Sequence, residues 1–112
     1  MPPRKRGRTT PPDTAIAASG TILELRLYIA DNAPNSVRAV ANLEAICKEY
    51  SEHEFRLEIV DVLEHPLRAL ADGVLVTPSL AKLSPSPVTK VVGNLSDRNS
   101  VLRALGLNGA RQ

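Results

Sequence analysis

Residues 73–93 read GVLVTPSLAKLSPSPVTKVVG, and the fold turns on how Pro78 is placed within them. An apolar run, Val74, Leu75 and Val76, reads as a strand entering a sheet and then meets Thr77-Pro78. Proline has no N–H to give to a ladder, so in such a run it marks an edge, a bulge or a tight turn, often with a cis bond. A second apolar run, residues 88–92, follows Pro85 and Pro87, and Gly93 closes the unit. Two short strands, 74–76 and 88–92, are the expectation.

Upstream, Leu23, Leu25, Leu27 and Ile29 alternate with Glu24, Arg26 and Tyr28, the period-two pattern of a strand with one buried face. Residues 31–36 break it, and Asn35 or Ser36 is placed to cap a helix. From Val37 to Tyr50 the residues Val37, Val40, Ala41, Cys47 and Tyr50 form one apolar stripe, widened by Leu43 and Ile46. Residues 55–62 read as a second strand, which a helical crossover joins to the first as a parallel βαβ unit. Residues 63–72 are helix-compatible after Pro66, with Leu67, Leu70 and Ala71 on one side and Gly73 as a left-handed stop. Ser96 is expected to cap a last helix, 97–105, that buries Val101, Leu102 and Leu105.

The order β-α-β-α-β-β-α is similar to that of the thioredoxin-like fold: an α/β domain whose mixed sheet carries helices on both faces. In that fold a proline, commonly cis, opens the third strand and faces the start of the first helix. Thr77-Pro78 falls at that place, and residues 31–36 fall where a thioredoxin has its CxxC. They contain no cysteine.

Composition limits the remaining readings. The chain has 112 residues and 43% hydrophobic composition with no Trp, so one small domain, residues 21–107, has a core of Leu, Val, Ile and Ala. No apolar run approaches the roughly 18 residues that span a bilayer, and no hydrophobic segment follows the basic N-terminus. A cytoplasmic protein without a membrane partner is expected. The single cysteine, Cys47, excludes an internal disulfide and any CxxC redox or zinc motif.

The net charge of +2 is unevenly distributed. Residues 1–20 hold Arg4, Lys5, Arg6 and Arg8 against Asp13 alone and are rich in proline, which is the composition of a disordered tail. No aromatic residue stands among these basic ones to stack on bases, so nucleic acid is not expected as a partner. Residues 108–112 read as a flexible end.

Catalytic sets are absent from the pattern. His53 falls in a polar linker and His65 beside Pro66, neither spaced with Cys47 or a carboxylate as a triad or metal site requires. Cys47 on a buried helical face reads as a small inert hydrophobe. No phosphate-binding glycine motif occurs, and no cofactor is expected. Asp61, at the end of an apolar strand, is placed either to pair with a basic residue or to cap a turn.

The stretches LRLYIADNAPNSVRAVANLEAI, LEIVDVLEHPLRA and GVLVTPSLAKLSPSPVTKVVGNLS resemble the KaiB family of bacterial circadian-clock proteins, in register from about residue 22 to 105. The resemblance implies a non-enzymatic regulator that binds the phosphorylated KaiC ATPase ring. In cyanobacteria such a regulator then sequesters KaiA, and a homologous domain serves in a clock-associated histidine kinase. It also implies homo-oligomers, dimer or tetramer, and a family ground state with a βαββααβ order alternative to the thioredoxin-like one. Other classes are an interaction module in stress response or kinase signalling, and a thioredoxin-like oxidoreductase, which the missing CxxC opposes.

Several positions depart from the family pattern. The usual Ala-Gly-Asn is Ala30-Asp31-Asn32, the proline triplet is Pro85-Ser86-Pro87, and Gly-Asp-Leu-Ser is Gly93-Asn94-Leu95-Ser96. A final-helix glycine is replaced by Ala104, which favours a continuous helix by about 1 kcal/mol. Arg38, Lys82 and Lys90 are the expected partner contacts. Pro78, Pro85, Pro87, Gly93 and Ala104 are the expected structural or switch positions.

Overall fold

Leucines at alternate positions make β1 (Ile22–Ile29) the centre of the sheet in the computed structural model, which describes residues 20–107. Of the tail expected over residues 1–20, all but Gly20 lies outside the described residues, as does the flexible end expected over 108–112. After β1 come α1 (Pro34–Glu49), β2 (Glu54–Asp61), α2 (Pro66–Ala71), β3 (Ser79–Ser84), β4 (Thr89–Val92) and α3 (Arg98–Leu105). The sheet order is β2-β1-β3-β4. β1 runs parallel to β2 and antiparallel to β3, and β3 pairs antiparallel with β4. This is the expected βαβαββα order, not βαββααβ.

The two faces of the sheet are built differently. On one, Leu23, Leu25, Leu27 and Leu80 meet Ala39, Leu43 and Ile46 of α1 and Val101, Leu102 and Leu105 of α3. On the other, a small cluster of Tyr28, Val60 and Ala81, with Val62, Val74 and Leu83 against it, lies on the α2 side.

Several local expectations are corrected. α1 starts at Pro34 and has no side-chain cap, because a proline in the first turn removes one of the N–H groups a cap would serve. Ser36 instead turns inward and accepts from the Ala30 N–H at 3.0 Å. The buried stripe of α1 is Ser36, Ala39, Leu43 and Ile46, while Val37 is exposed. That row keeps the helical three-and-four spacing but starts on small residues. Residues 74–76 are not a strand. The ladder to β1 begins at Ser79, just past Pro78, which has no N–H to donate. Asp97, not Ser96, is the N-cap of α3, its carboxylate accepting from the Ser100 N–H at 3.3 Å. His53 is buried edge-on to Phe55 instead of lying in an open linker.

The family departures fit their places. Asp31 has φ +51°, a conformation Asp tolerates better than most residues, and its N–H donates to the Asp61 carboxylate at 3.1 Å. Asp61 also accepts from the Leu63 N–H at 2.9 Å, so it pins two turns and makes no ion pair. The Asn94 side-chain oxygen accepts from the Ser96 N–H at 3.0 Å and its amide donates to the Asn35 side chain at 3.3 Å, while its backbone carbonyl accepts from the Asn42 side chain of α1 at 2.8 Å. Gly93 takes φ +117°, and its N–H donates to the Pro78 carbonyl at 2.9 Å, tying the start of β3 to the end of β4. The Thr77-Pro78, Ser84-Pro85 and Ser86-Pro87 bonds are cis.

α3 runs unbroken through Ala104 to a left-handed Gly106, and the Ala104 carbonyl accepts from the Thr89 hydroxyl at 2.6 Å. Ala104→Gly is expected to lower unfolding free energy by about 1 kcal/mol in denaturant melts. NMR secondary shifts of the free protein should be helical over residues 98–105, and strand-type shifts at 101–105 would overturn this assignment.

Candidate protein-docking surface

α2 is held to the sheet by its polar side. Arg68 donates to the Glu58 carboxylate of β2 at 2.7 Å, and Arg26 of β1 donates to the same oxygen at 2.9 Å. Asp72, just past the helix, accepts from the Tyr28 hydroxyl at 2.7 Å and from Arg26 at 3.4 Å. Ala69 is the one buried residue of the helix. Leu67, Leu70 and Ala71, read from the sequence as one side of the helix, therefore face solvent, the leucines at 80% and 71% exposure. The cause is the polar clamp: the side of α2 carrying Arg68 and Asp72 is already bound to β1 and β2.

The loop behind α2 extends the apolar surface. Gly73 takes φ +76° and stops the helix as expected. Leu75 is then 91% exposed, and Leu63, before the helix, is exposed as well. Together these side chains make a surface of large aliphatic groups around one short helix, the composition that marks a protein-docking site.

The three basic residues expected at a partner surface do not converge. Arg38 is exposed on α1 and Lys90 on β4. Lys82, on β3, is 1% exposed, and its Nζ has no hydrogen-bond partner. It pairs with Leu25 and Thr89 on the face that α1 and α3 cover, so in this state it is closed to a partner. Burial pushes its pKa down. Alternation of the strands explains the outcome: position 82 shares a face with Leu80, whereas position 90 pairs with Ala81 on the other face. The exposed leucines of α2 were missed because a leucine stripe on a helix reads as core.

Thiol chemistry has no support at this site. Cys47 lies near the end of α1, and its burial pushes the thiol up to about 11, so it is protonated at neutral pH. No helix among the described residues is long and apolar enough to cross a membrane.

The Arg68 and Arg26 guanidiniums hold the Glu58 carboxyl down to about 2. A lowered carboxyl pKa stabilises the fold above the usual glutamate range and loses that contribution as pH falls through the folded value. Protection factors of the α2 amides, corrected for intrinsic exchange, are therefore expected to fall between about pH 4.5 and 2, ahead of those of α1, and Glu58→Gln should abolish the difference. For Lys82 the sign is reversed. A buried amine with a lowered pKa costs stability at neutral pH, and the cost shrinks as pH rises toward the normal lysine value. Lys82→Met is expected to stabilise by about 1–3 kcal/mol at pH 7, with the gain narrowing near pH 10.

The chain matches known proteins over this whole region. Residues 26–107 match the KaiB domain family. The circadian clock oscillator protein KaiB of Microcystis aeruginosa is 48% identical over 83 residues, covering 74% of this chain and 80% of that one. KaiB of Nostoc punctiforme is 47% identical with the same coverage. Among solved structures, the N-terminal domain of SasA from Synechococcus elongatus aligns over 95% of this chain and 96% of its own, with TM-score 0.64 and 24% identity. A Drosophila melanogaster thioredoxin, Deadhead, aligns over 73% and 78% with TM-score 0.59 and 13% identity. The two structural likenesses establish a thioredoxin-like fold, and the sequence matches show that the chain belongs to the KaiB family, whose members named here are circadian clock oscillator proteins.

Proposed function

We propose that this protein is a cytoplasmic KaiB-type regulator that binds a KaiC-type ATPase ring and modulates its phosphorylation cycle or output. The observation that carries the reading is the outward apolar face of α2, formed by Leu67 and Leu70 and flanked by the exposed Leu63 and Leu75. The ion pairs set which side of the short helix meets the sheet, so its leucines already face outward in the free chain. Lys90 lies on the same side of the sheet and supplies a basic contact, while Arg38, on the α1 layer, serves a separate contact. Lys82 is unavailable unless β3 opens. The family resemblance supports the choice of partner, and it extends to a KaiA-like protein or a histidine kinase as a further one.

Burying a leucine in an interface is worth about 1.5–3 kcal/mol. Leu67→Glu is therefore expected to weaken binding to a purified KaiC-type ring, assayed with ATP by biolayer interferometry, at least tenfold. Because Leu67 is 80% exposed, its melting temperature should stay unchanged. Wild-type affinity in Leu67→Glu and in Leu70→Glu would reject the surface. Failure of the unmodified chain to bind any such ring would favour the other reading, a module for stress-response or kinase partners.

A further inference from the structure

On the α2 side of the sheet, α2 bonds to β1 and β2 alone, through Arg26, Tyr28 and Glu58. Beside it lies a cavity of about 190 Å³ over β3 and β4. Ala81, Lys90 and Val92 contribute the sheet side, and Val74, Leu75 and Val76 contribute the wall. Its size is close to that of the apolar cavity of about 150 Å³ that takes up benzene, so it fits a body of about six to eight carbons.

Two charged side chains line the cavity. The Asp72 carboxylate is engaged by the Tyr28 hydroxyl at 2.7 Å and by Arg26 at 3.4 Å. The Lys90 ammonium is exposed and has no ion-pair partner among the described residues. The free charge of the site is therefore positive, next to an apolar recess. A neutral ligand would leave Lys90 unused, and a cationic one would be repelled by it.

We propose that this cavity binds an aliphatic monocarboxylate of about six to eight carbons, its chain against Val74, Ala81 and Val92 and its carboxylate on the Lys90 ammonium. The proposal concerns the free chain and does not rest on ring binding.

The test is a titration of the ¹⁵N-labelled full chain with sodium octanoate, followed by amide shifts, with 1-octanol and octylammonium as comparison ligands. Octanoate is expected to shift residues 74–76, 81 and 90–92 with a dissociation constant on the order of 0.1 to 1 mM, as a ligand of about ten heavy atoms allows. Octanol should bind about tenfold more weakly, and octylammonium more weakly still. Lys90→Gln should bring octanoate down to the level of octanol. Val92→Trp, at an exposed position of β4, should close the cavity to both. No shifts at these residues in millimolar octanoate would overturn the proposal. So would equal binding of octanoate and octanol, or octanoate binding in Lys90→Gln at the wild-type level.

Discussion

The docking surface depends on one polar clamp: Arg26, Tyr28 and Glu58 of the sheet against Arg68 and Asp72 of the α2 segment. A six-residue helix has little intrinsic stability and must be held by its surroundings. An ordinary short helix would bury its leucines for that purpose. Here Glu58 accepts from two guanidiniums and Asp72 from a phenol and a guanidinium, so the anchoring is ionic. Each pair is partly exposed, and none alone is worth much. The shared acceptors make them a set, and the set fixes which side of the helix meets the sheet. The leucines are then left outside by geometry.

The two faces of the sheet therefore differ in what holds them. The α1 and α3 side is a continuous leucine core, with Leu23, Leu27, Leu43 and Val101 fully buried. The α2 side has a small buried cluster of Tyr28, Val60 and Ala81, with Ala69 of the helix buried as well, and a set of ion pairs around it. Apolar burial is insensitive to acid, whereas carboxylate pairs are lost on protonation. Local opening is thus easier around α2 than around α1. Under the proposed function, the layer held by ion pairs is the one that carries the docking surface.

Most of the fold was legible because its elements follow simple periods. Leu23, Leu25 and Leu27 identify β1, and Val101, Leu102 and Leu105 identify α3. Pro78 marks a strand boundary, but the strand read at 74–76 lies on the wrong side of it, since β3 is Ser79–Ser84. The misread parts share a cause. Leu67 and Leu70 look like a core stripe because hydrophobicity along a helix says where leucines are, not which neighbours compete for the same side. Only the distant Arg26 and Glu58 decide that. Lys82 was placed at the surface by residue type, yet its strand register puts it beside Leu25. The rotation of α1 was hidden because its buried row begins with Ser36 and Ala39, which carry little hydrophobic signal. The apolar cavity was not legible at all, since it arises where residues 74–76 leave the ladder.

Lys82 and Ala104 act on the same half of the chain in opposite directions. Ala104 removes a glycine's backbone freedom and strengthens α3 by about 1 kcal/mol. Lys82 buries an unpartnered amine in β3 and costs about the same or more. A protein selected only for this fold would have an apolar residue at position 82, where its neighbours are Leu25 and Leu80. The unpartnered amine therefore offsets part of what the leucine core contributes to the β3 to α3 half. Alanine at position 104 works the other way, because it lets α3 run unbroken to Gly106 and close over that half of the sheet.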